Sequence, residues 1–425
     1  MVPLNRCTAT ELAQLVASRR ASAVEIAEAC LARIEGRDAD VKAWERVDRS
    51  LVLAQARACD RTAPRGPLHG VPFGVKDIID THDMPSEYGS PIYEGHRPRV
   101  DAASVALLRE AGAVLLGKTV TVELAGFHWS RTRNPHNLEH TPGGSSSGSG
   151  AAVADFMTPL ALGTQTGGST LRPAAFCGVW GYKPSFNLVN TAGMKPLAES
   201  QDTIGLFARS AADLALMLSA LTACPAPALA TASAPRIAIA RMPVWPALDP
   251  AMEHAFEDAC ARLARAGASV TALALPQPFI DGFAAQRDVN DYEAWRGLAH
   301  ERTHHWQQLS TSLQARLENA ARCTYAQYRR AQDVILQCRA LLHDLFSEHD
   351  VLMTPSTPGE APRSQENTGD SSFHRIWTAL HTPALHVPVF HGPNGLPMGV
   401  QLIGECRRDA ELLAHAAWVE RALRS

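Results

Sequence analysis

Long hydrophobic runs are missing from this 425-residue chain: its longest apolar stretches, such as residues 151–161, are interrupted, here by Asp155 and Pro159, short of the ~18 residues that a bilayer-spanning helix needs. No membrane association is expected. An excess of one charge is also missing, since 40 Lys and Arg face 43 Asp and Glu for a net charge of −3, and no block of like charges occurs. That balance leaves no basic face for a phosphate backbone, so no nucleic-acid partner is expected. The nine cysteines contain no Cys-x-x-Cys and no His spacing that would complete a zinc ribbon. They read as small core residues of a reducing cytoplasm. The first residues, Met1-Val2-Pro3-Leu4-Asn5-Arg6-Cys7, lack the charged-then-apolar pattern of a signal peptide, and a cytoplasmic location is the expectation.

What is present is an ordinary globular balance, 46% hydrophobic and 20% charged residues. Thr8-x-x-Glu11 and Ser22-x-x-Glu25 fit capping boxes ahead of apolar Leu12, Leu15, Ile26 and Cys30, so residues 1–60 are expected to be helical. From Val71 the texture changes to a βαβ rhythm: a strand over residues 71–79, a helix over 102–110 closed by Gly112, and a strand over 113–116. A second unit reads as strand 237–241, a helix opened by Asp249 and Pro250, Gly267 as its stop, and strand 270–275. Two long helices are expected between about 288 and 347, then strands at 350–353, 384–389 and 400–403 and a closing helix over 410–423. The Ala- and Pro-rich stretch 224–235 is the one linker-like segment.

Chemistry concentrates in two Gly-rich passages. Residues 142–150, Pro-Gly-Gly-Ser-Ser-Ser-Gly-Ser-Gly, run straight into an apolar segment, which argues against a flexible linker and for close backbone approach. A second turn, Thr166-Gly167-Gly168-Ser169, can aim successive N–H groups at one point, as an anion or the oxyanion of a tetrahedral intermediate requires. Upstream, Lys76 interrupts an apolar run with Phe73 and Val75 on one strand face and Gly74 and Lys76 on the other. Either it pairs with Asp77 or Asp80, or burial lowers its pKa until a neutral amine can act as a base. Spacing alone leaves both open, and Ser145, Ser146, Ser147 and Ser149 are chemically equal candidates for a reactive hydroxyl.

Lys76 within GVPFGVKD, the run TPGGSSSGSGAAVA and the run LALGTQTGGSTLRPAAFCGVWGYKPS together resemble the amidase signature family, within it the malonamidase-like small bacterial amidases. The likeness extends along the whole chain, through Gly117-Lys118-Thr119, Asp202-Thr203-Ile204-Gly205 and residues 396–404. It implies one α/β amidase domain over residues 1–425, a mixed sheet sandwiched between helix layers, with 224–353 as its more variable part. It also implies hydrolysis of a small carboxamide through an acyl-enzyme, with Ser169 as nucleophile, Ser145 as bridging serine after a cis Gly144–Ser145 bond, and Lys76 as base. Thr166, Gly167, Gly168 and Ser169 would supply the oxyanion hole. No cofactor or metal is implied, and a homodimer is compatible with the family.

Arg172, three residues after Ser169, matches the position that contacts a substrate carboxylate in the malonamidase-like subset, and Gly144 is the other substrate contact that the resemblance implies. A structural ion pair is the competing reading of Arg172. The amidotransferase component that supplies ammonia from glutamine to misacylated tRNA resembles the chain through the same triad. A reading of another class rests on His300-Glu301-Arg302-Thr303-His304, a literal zinc-peptidase pattern for which Glu318 or Glu348 would have to act as third ligand. A polar helix face explains the same residues. Trp129, Trp245, Trp295, Trp306 and Trp377 are expected either to line a pocket or to sit in the core.

Overall fold

The computed structural model describes residues 2–424 apart from Phe127, Ala232 and Gln365. Among these, eleven strands join into one mixed sheet: β1 (Trp44–Val47), β2 (Pro72–Lys76), β3 (Val114–Thr119), β4 (Leu160–Gln165), β5 (Trp180–Lys183), β6 (Thr203–Ala208), β7 (Arg236–Arg241), β8 (Ser269–Ala274), β9 (Val351–Pro355), β10 (Ala384–His391) and β11 (Pro397–Ile403). Their order across the sheet is β1-β3-β2-β4-β6-β5-β10-β11-β9-β7-β8. β2 runs parallel to both β3 and β4, and β7 runs parallel to both β8 and β9. Those parallel pairs are what the two βαβ readings require. Helices cover both sides, giving the α/β/α sandwich.

Strand alternation divides the core into its two faces. Phe73, Leu115, Leu160 and Leu162 pack with Leu12, Leu214 and Leu413, whereas their neighbours Val114, Leu116 and Ala161 pack with Ala27, Ala151 and Val153. Lys76 is out of phase with Phe73 and Val75, so it belongs to the second face.

Both expected capping boxes form, opening the helices Ala9–Ala17 and Ala23–Val41. Residues 1–60 are nevertheless not all helical, because the second helix stops at Lys42 in the left-handed region (φ 55°). Asp38 then takes the N–H groups of Ala43 (2.6 Å) and Trp44 (3.3 Å), and the chain turns into β1 against β3. The expected pair of long helices between 288 and 347 is also corrected. Among the described residues four α-helices fill the region, Gln277–Gly297, Ala299–His304, Thr311–Ala320 and Tyr325–Glu348, with a 3-10 turn at Trp306–Gln308. Ser310 caps the third through Leu313 N–H, and Thr324 with Gln327 forms a capping box on the fourth. Asp249 precedes the helix Pro250–Arg265 as expected, although its carboxylate caps no N–H.

The 224–353 stretch adds strands to the same sheet, since β9 pairs with β11. No helix among the described residues is long and apolar enough to cross a membrane. All nine cysteines are free thiols, five of them buried.

Candidate active site

Lys76 closes β2 with its side chain fully buried, and its Nζ lies 2.7 Å from Ser145 Oγ and 2.7 Å from Thr164 Oγ1. The pairing with Asp77 or Asp80 does not occur. Asp77 instead meets Lys118 Nζ at 2.9 Å, and Asp80 accepts from the Tyr88 hydroxyl at 2.7 Å. Removal from water destabilises the ammonium form, so burial holds the Lys76 pKa well below its ordinary value; the Asp202 charge opposes this and the Arg172 charge adds to it. Thr164, which belongs to this cluster, has no signal in the sequence beyond its place ahead of the second Gly-rich turn.

The four serines of the first Gly-rich passage separate by partner. Ser146 Oγ donates to the Thr164 carbonyl (3.2 Å), Ser147 Oγ to the Gly143 carbonyl (2.8 Å) and Ser149 Oγ to the Leu162 carbonyl (2.9 Å). All three are therefore occupied with backbone, and Ser145 alone reaches Lys76. The Gly144–Ser145 peptide is cis. Val122 N–H donates to the Ser145 carbonyl at 3.2 Å, and Ser146 N–H donates to the Ser169 carbonyl at 3.2 Å, which joins the two Gly-rich passages side by side.

Gln165 shapes the second turn. Its Oε1 accepts from Thr170 N–H (2.9 Å) and Leu171 N–H (3.0 Å), folding the chain back on itself between them. Its Nε2 donates to Thr378 Oγ1 (3.0 Å), and Thr378 in turn donates to the Gly167 carbonyl (2.7 Å). Thr166 Oγ1 donates to buried Asp202 at 2.5 Å, and the N–H groups of Leu197 and Ala198 hold the other carboxylate oxygen. Burial pushes Asp202 up to about 6 against the pull of these donors. Among the described residues, the N–H groups of Gly167, Gly168 and Ser169 and the hydroxyl of Ser169 have no acceptor or donor partner within the chain. The turn can therefore offer convergent donors to a bound oxyanion.

Thr166, Gly167, Gly168, Ser169 and Arg172 line one cavity of about 170 Å³, together with Arg287, Arg316 and Arg375. This is small beside the ~300–1,000 Å³ of drug-sized pockets. Arg172 is buried and its fork is already engaged: Nε (3.1 Å) and Nη2 (2.6 Å) donate to the Gly144 carbonyl, and Nη1 donates to the Gly369 carbonyl at 2.5 Å. Gly144 thus meets Arg172 through its carbonyl and does not itself line the cavity. None of the five tryptophans lines it either; Trp377 is core.

The His300-x-x-x-His304 pair lies elsewhere. Glu301 between them is fully buried, with its carboxylate bonded to the Tyr93 hydroxyl and to Lys195 Nζ (2.6 Å), while both histidines are exposed. Among the described residues no His, Cys or carboxylate completes a metal-binding group with them. That is the geometry of a structural carboxylate.

The amidase family model matches residues 25–413. A curated relative, a glutamyl-tRNA(Gln) amidotransferase subunit from Roseiflexus castenholzii, is 33% identical over 466 aligned positions, covering 97% of this chain and 95% of the relative. Among solved structures, the native peptide amidase from Stenotrophomonas maltophilia superposes with a TM-score of 0.84 at 30% identity, covering all of this chain and 98% of the other. A 6-aminohexanoate cyclic dimer hydrolase gives a TM-score of 0.86 at 25% identity, covering 100% and 98%.

Proposed function

The chain belongs to the amidase family, as an enzyme acting on amide C–N bonds, and from that premise we propose that it hydrolyses a small carboxamide through an acyl-enzyme on Ser169. The observation that carries this reading is the buried Lys76 amine 2.7 Å from Ser145 Oγ, beside a turn whose N–H groups are unpaired. A neutral Lys76 accepts the Ser145 hydroxyl proton as Ser145 takes the proton of Ser169, and Ser169 Oγ forms a bond to the amide carbon. Gly167, Gly168 and Ser169 N–H groups, with Thr166 setting the turn through Asp202, receive the oxyanion, an effect of about 3–4 kcal/mol per donor in other hydrolases. The C–N bond then breaks as Ser145 returns a proton to the leaving amine. Water attacks the ester by the same path in reverse, releasing the carboxylate and restoring Ser169.

The curated relatives favour a second reading, an amidotransferase component that releases ammonia from glutamine, more strongly than they favour a free-standing amidase. The cavity argues for the first. The four arginines of the lining would suit the α-carboxylate of glutamine, but its α-ammonium calls for an anionic partner and the lining holds no carboxylate among the described residues. Turnover of a panel of short amides against glutamine separates the two, and co-purification of a tRNA-binding partner would favour the second. For the mechanism itself, Ser169→Ala should lose at least ~10³-fold in kcat, and hydroxylamine should trap an acyl group on the parent enzyme only. Undiminished hydrolysis by Ser169→Ala would end the proposal.

A further inference from the structure

A second cavity, of about 190 Å³, adjoins the active-site cavity. A pair of buried amides crosses the partition: Gln286, which lines the active-site cavity, donates from Nε2 to Gln201 Oε1 at 2.8 Å, and Gln201 lines the second cavity. Gln201 is 1% exposed, and its Nε2 has no partner. A buried donor left unpaired costs about 1–3 kcal/mol, so this amide calls for an acceptor that the chain does not supply. Further donors come from the helix Tyr325–Glu348, where Arg329, Gln332, Leu336 and Arg339 recur every three or four residues and so share one face, and all four line the cavity. Half-buried Arg339 gives Nε (3.1 Å) and Nη2 (2.6 Å) to the Ala379 carbonyl, which leaves Nη1 without an acceptor among the described residues. Arg329 donates to Gln332 at 3.2 Å and has no carboxylate partner among them. No carboxylate lines the cavity; Glu293, beside it, is bonded to the Tyr328 hydroxyl and the Ser200 N–H. Val289, Ile335, Leu336 and Ala379 make the rest of the lining apolar, and Leu336 is left 57% exposed.

We propose that this cavity is a second ligand site, separate from the reaction centre, that takes a short aliphatic monocarboxylate. The carboxylate oxygens meet Gln201 Nε2 and the guanidinium groups of Arg329 and Arg339, and the alkyl chain lies on Val289, Ile335 and Leu336. Unpaired donors with two positive charges select a negatively charged acceptor. The hydrocarbon half of the lining selects a ligand with an apolar body, which inorganic phosphate lacks. Size sets the chain length: a cavity of ~150 Å³ holds a benzene-sized molecule, so an acid of four or five carbons fits here. The site does not depend on the reaction at Ser169, yet it adjoins the oxyanion turn through two chain neighbours. Asp202, next to Gln201, holds Thr166, and Thr378, next to Ala379, holds the Gly167 carbonyl. A ligand seated in this cavity therefore bears on both segments that hold the turn.

The test is calorimetry of the full chain with butyrate, which needs no turnover. Butyrate should bind saturably in the millimolar range or tighter, as a ligand of so few atoms can, with 1-butanol and inorganic phosphate each at least ~10-fold weaker. Arg339→Gln should weaken butyrate binding at least ~10-fold. Leu336→Glu, at an exposed position, keeps the fold and sets a negative charge against the ligand, so it should weaken binding at least ~10-fold as well. A thermal melt checks that each variant is folded. Arg287→Gln, which alters only the active-site cavity, should leave butyrate binding little changed. Binding that is insensitive to folded Leu336→Glu, or that is lost in Arg287→Gln alone, puts butyrate in the active-site cavity and overturns the second site. Absence of saturable binding up to about 100 mM also overturns it. Phosphate binding tighter than butyrate overturns the ligand class.

Discussion

Thr164 Oγ1 stands 2.7 Å from the same Lys76 nitrogen that lies 2.7 Å from Ser145 Oγ. A neutral amine has two N–H groups and one lone pair, so an N–H given to Thr164 helps to turn the lone pair toward Ser145, the orientation a base needs. Thr164→Val keeps the side-chain shape and removes the acceptor. Its kcat should fall about 10-fold with KM little changed, while Thr164→Ser keeps most of the rate. A raised KM at unaltered kcat would mean that Thr164 shapes the pocket and does not position the base.

The lowered pKa of Lys76 fixes the sign of two pH effects. Activity needs the neutral amine, so kcat/KM should fall as pH drops through the depressed value, and Asp202→Asn, which removes a charge favouring the ammonium, should move that acid limb to lower pH. Stability follows the same titration. Above the depressed value and below 10.5 the unfolded chain binds a proton on Lys76 that the folded chain does not, so this group's contribution to stability rises with pH across that window. Lys76→Met cannot titrate. Its melting temperature relative to the parent should therefore be highest at the low end of the window and decline as pH approaches 10.5, and a difference that grows with pH would contradict a neutral lysine.

Glu301 offers a prediction that separates structure from catalysis. It is buried against Tyr93 and Lys195, so Glu301→Gln should cost about 2–3 kcal/mol, the scale of a charge-assisted hydrogen bond left half-made, and should lower the melting temperature. His300→Ala and His304→Ala, both at exposed positions, should leave stability within about 0.5 kcal/mol. Amide turnover should survive prolonged chelation. Loss of turnover on chelation, restored by zinc, would bring the metallopeptidase pattern back.

Much of the frame was legible because its signals are local. The Thr8 and Ser22 capping boxes, the parallel strands around residues 103–110 and 250–265, and the Lys76 run each declare themselves within a few residues. Other features depend on distant partners. β1 was hidden inside a helical pattern because its existence rests on pairing with β3, about seventy residues away. Thr164 and Thr378 matter only because the fold carries them to Lys76 and Gly167. Arg172 is the reverse case: the motif marked the residue, while its engagement with two backbone carbonyls is a fact of the folded chain.

The helix Ser147–Ala154 was not evident, because its first turn, Ser-Gly-Ser-Gly, has poor intrinsic helicity. Close packing explains it: a Cβ on Gly148 would lie 2.2 Å from the Ala43 carbonyl oxygen and 2.4 Å from Val120 N, so only glycine lets the helix press onto β3 and the chain leading into β1. Both obstacles are backbone, which cannot swing aside as a flexible side chain can. Gly148→Ala should therefore cost at least ~3 kcal/mol and displace Ser145 from Lys76, reducing activity in whatever fraction remains folded. Gly36→Ala serves as the control, since Gly36 lies in the interior of an exposed helix face with nothing within 4 Å of a new Cβ. There the added methyl lowers the entropy of the unfolded chain and should stabilise by about 0.5–1 kcal/mol. If the two substitutions gave similar melting temperatures, the close approach at Gly148 would not be what holds the Ser145 loop against the sheet.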